Sequence, residues 1–199
     1  MGNPFPFMKR LKATPDSIKL SYQEADIHEK LALHLSQFYS RLEPEQDLVA
    51  VCVGTDRSTG DSLGPFVGTQ LNKQSIDGLY VYGTLDEPVH AMNLQDTLDR
   101  VSNERTNPFI IAVDACLGQV SSVGCIQIGD GPVKPGAGVN KDLPPVGNVH
   151  ITGIVNVGGF MEYFVLQNTR LSLVIRMAEI IGHSIVQSLA YLPDQRASI

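Results

Sequence analysis

Two short, continuously apolar runs constrain this chain more than any other feature: residues 48–53 (LVAVCV) and 109–113 (FIIAV). Each ends abruptly, the first at Gly54 and the second at Asp114. A strand covered on both faces reads this way, because neither side chain row meets water; a piece of buried helix can read the same for so short a run. What surrounds them favours strands. Ile27, Leu31, Leu35, Phe38 and Leu42 recur at helical spacing and predict an amphipathic helix over 24–42, ended near Pro44. Pro65 suits the first turn of a second helix to about Lys73, with Val67 and Leu71 on one face. Residues 79–83 read as a strand and 89–101 as a helix.

Further on, residues 123–128 (VGCIQI) read as a strand at an antiparallel edge, and 148–155 as the last strand. Helices are expected over 159–167 and 171–192, the latter with Leu173, Ile180, Val186 and Leu189 on its apolar face. Strands alternating with helices imply right-handed βαβ units. The expected fold is therefore α/β, three-layered, with a mostly parallel sheet and helices on both faces. Residues 1–22 are expected as a flexible arm and 23–199 as a single domain.

Composition narrows the setting. Charged residues make up 18% and hydrophobic ones 43%, enough to build a core and against disorder. Fifteen basic residues against 21 acidic ones give a net charge of −6, so no basic field points to nucleic acid. Cys52, Cys116 and Cys125 are an odd number beside apolar runs, which fits buried thiols in a reducing compartment. The first 20 residues hold no apolar h-region, position 6 is Pro where a myristoylation signal wants Ser or Thr, and no apolar run approaches a membrane span. A soluble, cytoplasmic protein without a membrane partner is expected.

Ligands of open parallel sheets bind outside the carboxyl ends of the strands. The first apolar run leads into a polar loop containing Asp61, and the second runs into Asp114. If the two strands are neighbours, both carboxylates face one crevice. Two close carboxylates do not both ionise cheaply, so one can polarise a water while the other donates a proton. The same pair could instead bind a divalent cation. Either chemistry supports amide hydrolysis. As turn or capping residues, the two Asp would do neither. A phosphate cradle is disfavoured: residues 54–60 lack the GxxxxGK[ST] lysine and the GxGxxG spacing, and Asp61 would repel an anion. Glycine is enriched at the same places, with four between Gly54 and Gly68. Residues 129–147 hold five more, together with four prolines.

Residues 53–65 (VGTDRSTGDSLGP) resemble the first motif of the YyaC-type sporulation proteins of spore-forming bacteria. Residues 111–115 (IAVDA) look like the strand-end aspartate motif shared by germination proteases and hydrogenase maturation endopeptidases. Residues 126–128 (IQI) and 135–140 (PGAGVN) are similar to the strand and glycine-rich loop of the germination protease. The resemblance implies a phosphorylase/hydrolase-like α/β fold and an endopeptidase linked to sporulation or germination. Asp61 and Asp114 would be its catalytic pair. Thr55, Asp56, Ser58, Gly60, Gly136 and Gly138 would shape the groove for a peptide or protein substrate, small acid-soluble spore proteins among them, in the forespore or spore core.

The hydrogenase relatives place metal-binding carboxylates at both aspartate positions and add a histidine, which makes His150, in His150-Ile151-Thr152-Gly153, the candidate third ligand. The expectation is thus a divalent metal or no cofactor. A register with 148–155 as a core strand instead puts His150 far from the carboxyl end. His28, His34, His90 and His183 fall on expected helices or their edges, with His90 after the 83–88 loop. The alternatives to an endopeptidase are a non-catalytic partner-binding protein and a metal-dependent processing peptidase.

Overall fold

A computed structural model describes residues 17–136 and 143–192. In chain order the elements are β1 (Ile18–Ser21), α1 (Ile27–Phe38), β2 (Leu48–Cys52), α2 (Leu63–Lys73), β3 (Leu79–Tyr82), α3 (Leu94–Glu104) and β4 (Phe109–Gly118). They continue with β5 (Cys125–Asp130), β6 (Val149–Val157), α4 (Glu162–Gln167) and α5 (Leu171–Ser188). The six strands form one sheet in the order β1-β5-β6-β4-β2-β3. β6, β4, β2 and β3 run parallel, and β5 is antiparallel to both β6 and β1.

Strand alternation splits the core in two. Leu48, Ala50, Cys52, Ile111 and Val113 pack on one side with α1, α2 and α5. Val49, Val51 and Ala112 pack on the other with Leu94 and Val101 of α3. This division follows from the connections. The chain leaves β2 for β3 in one direction and returns past β2 to β4 in the other. With one hand for both crossovers, α2 and α3 land on opposite faces. The direction therefore switches between β2 and β4, and a crevice is expected there at the carboxyl ends.

The three-layer α/β architecture matches the sequence reading, and four details differ. Residues 18–21 of the expected arm are a strand, paired from Ile18↔Ile128 to Ser21↔Cys125. Ile18 and Leu20 pack against the first core, a two-residue alternation too short to stand out in the sequence. β5 is in consequence not an edge. Residues 89–93, expected as helix, hold a β-bridge between Val53 and Val89 and a turn in which the His90 N–H donates to Asn93 Oδ1 (2.8 Å). Finally, β4 does not stop at Asp114 but runs four residues beyond it. Leu171–Tyr191 has the length and hydropathy (1.3) of a membrane span, against the expectation from the sequence. Half of that window is buried in the fold, where α5 packs on α1 and α2.

Candidate functional site

The site arises because β4 outlasts its neighbour. The last β2–β4 pair is Cys52↔Val113, followed by one more bond, from the Val53 N–H to the Val113 carbonyl (2.7 Å). At Gly54 the chain then turns away with φ +147°, and a Cβ there would lie 1.9 Å from the Asp61 carbonyl oxygen. Only glycine permits that crossing. β4 continues to Gly118, held on its other side by β6 from Asp114↔Thr152 to Gly118↔Val157. Residues 114–118 thus have a strand on one side and a crevice on the other.

The loop after β2 folds back over this crevice. The Thr55 N–H donates to the Asp61 carbonyl (3.1 Å), the Ser62 N–H to that of Ser58 (3.0 Å), and the Ser62 hydroxyl to that of Thr59 (2.6 Å). The Gly60 N–H donates to the Leu166 carbonyl of α4 (2.9 Å), tying the loop to that helix. Asp61 and Asp114 line one cavity of about 350 Å³. Ala115, Cys116 and Leu117 continue the β4 wall. Val133, Lys134 and Gly136 form another wall, and Glu162 and Leu166 of α4 a third. Val133 is fastened by two bonds with Val146, of 2.8 and 2.9 Å.

The two carboxyl groups sit in different surroundings. Burial pushes Asp114 up to about 8, and the neighbouring Asp61 charge adds to the rise. The Ala115 N–H, donating to Asp114 Oδ1 at 2.9 Å, opposes it. Burial also raises Asp61. The buried Ser58 hydroxyl beside it favours the ionised form while falling short of hydrogen-bonding geometry. At neutral pH Asp114 keeps its proton. The Cys116 thiol is pushed up to about 11, chiefly by burial, and is protonated as well.

Of the residues expected from sequence, Asp61, Asp114 and Gly136 line the cavity, and Ser58 adjoins Asp61. Asp56 is exposed, and Thr55 accepts the Arg57 N–H on its hydroxyl (3.3 Å); neither belongs to the lining. Gly60 serves packing rather than the groove: a Cβ would lie 2.7 Å from Leu166 Cδ2. Gly138 lies outside the described residues.

His150 is not brought to the carboxylates. It sits near the start of β6, opposite Ala112 and Gly129, and its Nδ1 lies 2.9 Å from the Gly131 carbonyl oxygen. Among the described residues no group of three or more His, Cys, Asp or Glu is placed to hold a metal ion, so the donors do not fit the three-ligand site implied by the resemblance. His90 accepts the Met92 N–H on Nδ1 (3.2 Å) and does not line the cavity.

Cys116, Leu117 and Glu162 were not anticipated as lining, and Lys134 was not singled out within the 131–147 loop expected to shape the groove. Extending the β4 alternation past Asp114 would have found Cys116, two residues on and on the same face. Lys134 lies in a stretch without periodicity, and Glu162 enters only through the docking of α4.

Residues 19–184 match a family described as a protein of unknown function, DUF1256. Over 138 residues, 69% of this chain and 67% of its counterpart, the sequence is 62% identical to the uncharacterized protein YyaC of Bacillus subtilis (strain 168). The resemblance of residues 53–65 to YyaC-type proteins thus extends over most of the chain. Among solved structures it is similar to the NiFe hydrogenase maturation protease HycI from Thermococcus kodakarensis KOD1, at 15% identity and a TM-score of 0.49, covering 76% of this chain and 98% of that one. That likeness is too distant to bear on activity. Across most of its length, the chain belongs to the DUF1256 family of proteins of unknown function.

Proposed function

We propose that the cavity hydrolyses peptide bonds, with Asp61 as general base and Asp114 as general acid. One observation carries this reading: two carboxyl groups share a cavity at the switch point of the sheet, and their surroundings give them different proton affinities. Ionised Asp61 takes a proton from a water as its oxygen attacks the peptide carbonyl carbon. Protonated Asp114 gives its proton to the carbonyl oxygen, so no free oxyanion builds up. The proton on Asp61 then passes to the departing nitrogen as the C–N bond breaks, and Asp114 recovers its proton from the collapsing diol. Cys116, held as a thiol, takes no part as nucleophile.

An intracellular polypeptide substrate belongs to this reading, and the resemblance makes small acid-soluble spore proteins the ones to try. Purified protein incubated with them should release new fragments. Asp61→Asn and Asp114→Asn should each slow cleavage roughly 10²–10⁴-fold, with unchanged circular dichroism. A stable complex without fragments, or full activity in either variant, overturns the proposal. Because the base must be ionised and the acid protonated, the rate should fall on both sides of an optimum, the alkaline limb lying near pH 8.

A further inference from the structure

Beyond the carboxyl pair, the structure assigns a docking mode to the site: an extended polypeptide adds as a strand to the open side of β4 at Ala115 and Leu117, with an apolar side chain against Tyr163 of α4. This rests on the proposed hydrolysis for its meaning, but not for its geometry.

The Val113 carbonyl accepts from Val53 and so points toward β2. In a strand every second residue directs its N–H and C=O to the same side. Ala115 and Leu117 therefore point the same way, into the place β2 has vacated, while Asp114 pairs with β6. Among the described residues no loop backbone bonds to Ala115 or Leu117. The Ala115 N–H is met only by the carboxylate of the residue before it, Asp114 Oδ1. Such a row of open groups is a template for another strand. It forms the same wall of the cavity that carries Asp114.

On α4, Glu162 and Leu166, four apart, both face the cavity. At about 100° per residue Tyr163 adjoins them, at 63% exposure, whereas Phe164 (57%) falls on the far side of the helix and Phe160 (90%) and Met161 (58%) precede it. Tyr163 is thus the exposed ring beside the cavity-facing side of α4. The chemistry of the occupant follows from the lining: with Asp114 protonated, Asp61 and Glu162 against Lys134 favour a neutral or basic segment, with an apolar side chain for Tyr163. An extended peptide of alternating apolar and neutral or basic residues meets every condition.

The test uses the full chain carrying Asp61→Asn, to prevent turnover, and a pooled library of eight-residue peptides with Phe, Leu or Val at alternate positions and Lys, Thr or Ser between. Hydrogen exchange should show the Leu117 and Ala115 amides protected at least tenfold on peptide addition. Methylating alternate peptide nitrogens, which keeps the side chains, should weaken binding at least tenfold. Tyr163→Ser should do likewise, and Leu33→Ser, an exposed apolar site on α1, should not. Absence of binding, binding that leaves these two amides unprotected, or indifference to N-methylation overturns the inference. Protection that appears with protein concentration alone would assign the edge to a second copy, and also overturns it. Cleavage by the unsubstituted chain is read separately, so docking without hydrolysis and hydrolysis without docking are distinguishable.

Discussion

At the scale of single residues, Asp114 governs how the protein responds to pH. In the unfolded chain its carboxyl ionises at an ordinary value of about 4. In the folded protein it holds its proton up to about 8. Between those values the folded state binds a proton that the unfolded state releases, so stability declines as pH rises from 4 and the loss is complete above 8. Asp61 acts in the same direction. Asp114→Asn removes this penalty. Its denaturation midpoint should match the parent near pH 4 and exceed it at pH 9, by a margin on the order of a few kcal/mol in unfolding free energy. Equal pH dependence of the two proteins in urea titrations would contradict the burial that raises Asp114. Both aspartates were legible in the sequence through local signals: Asp114 directly follows an apolar run, and Asp61 lies in the polar loop between the other run and a helix. Glu162 and Lys134 were not, because their approach to the cavity depends on how α4 and the 131–136 segment dock.

At the scale of elements, close contact between α2 and β2 explains much of the glycine in the first motif. A Cβ on Gly64 would lie 2.1 Å from the Val53 carbonyl oxygen, so Ala at this position forces the first turn of α2 away from the strand. Gly64→Ala should therefore cost more than about 3 kcal/mol, or yield insoluble protein, although Ala is the better helix former by ~1 kcal/mol. Chemical denaturation of the purified variant measures this; a gain in stability would show that the helix can shift freely. The glycines flagged a tight region correctly, but the sequence could not separate backbone packing, as at Gly64 and Gly60, from contact with a substrate. The length of β4 was hidden for a related reason. Its apolar signal ends where β2 ends, since beyond Val113 only one side of the strand is covered by sheet.

At the scale of the whole molecule, the sheet is closed on one side by β1, a strand of four residues. Removing residues 1–22 would uncover β5, whose Ile126 and Ile128 are fully buried. The shortened chain should unfold at lower denaturant concentration and associate through the uncovered edge. Light scattering on a sizing column would detect this, and a monomer of unchanged stability would show β1 to be dispensable. The mostly parallel sheet and the helices on both faces followed from alternation of patterns along the chain, whereas the order of the strands came only from their pairing. β1 did not show in the sequence, because so short a strand carries its meaning only in its partner.

One bond described above reaches across these scales. The Leu166 carbonyl of α4 accepts the N–H of Gly60, the residue immediately before Asp61. α4 thus carries aromatic rings on its outer side and, inside, a hydrogen bond one peptide unit away from a carboxylate. Asp114 is seated instead in the β4–β6 ladder. The two carboxyl groups are therefore anchored to different elements, one to a short surface helix and the other to the middle of the sheet.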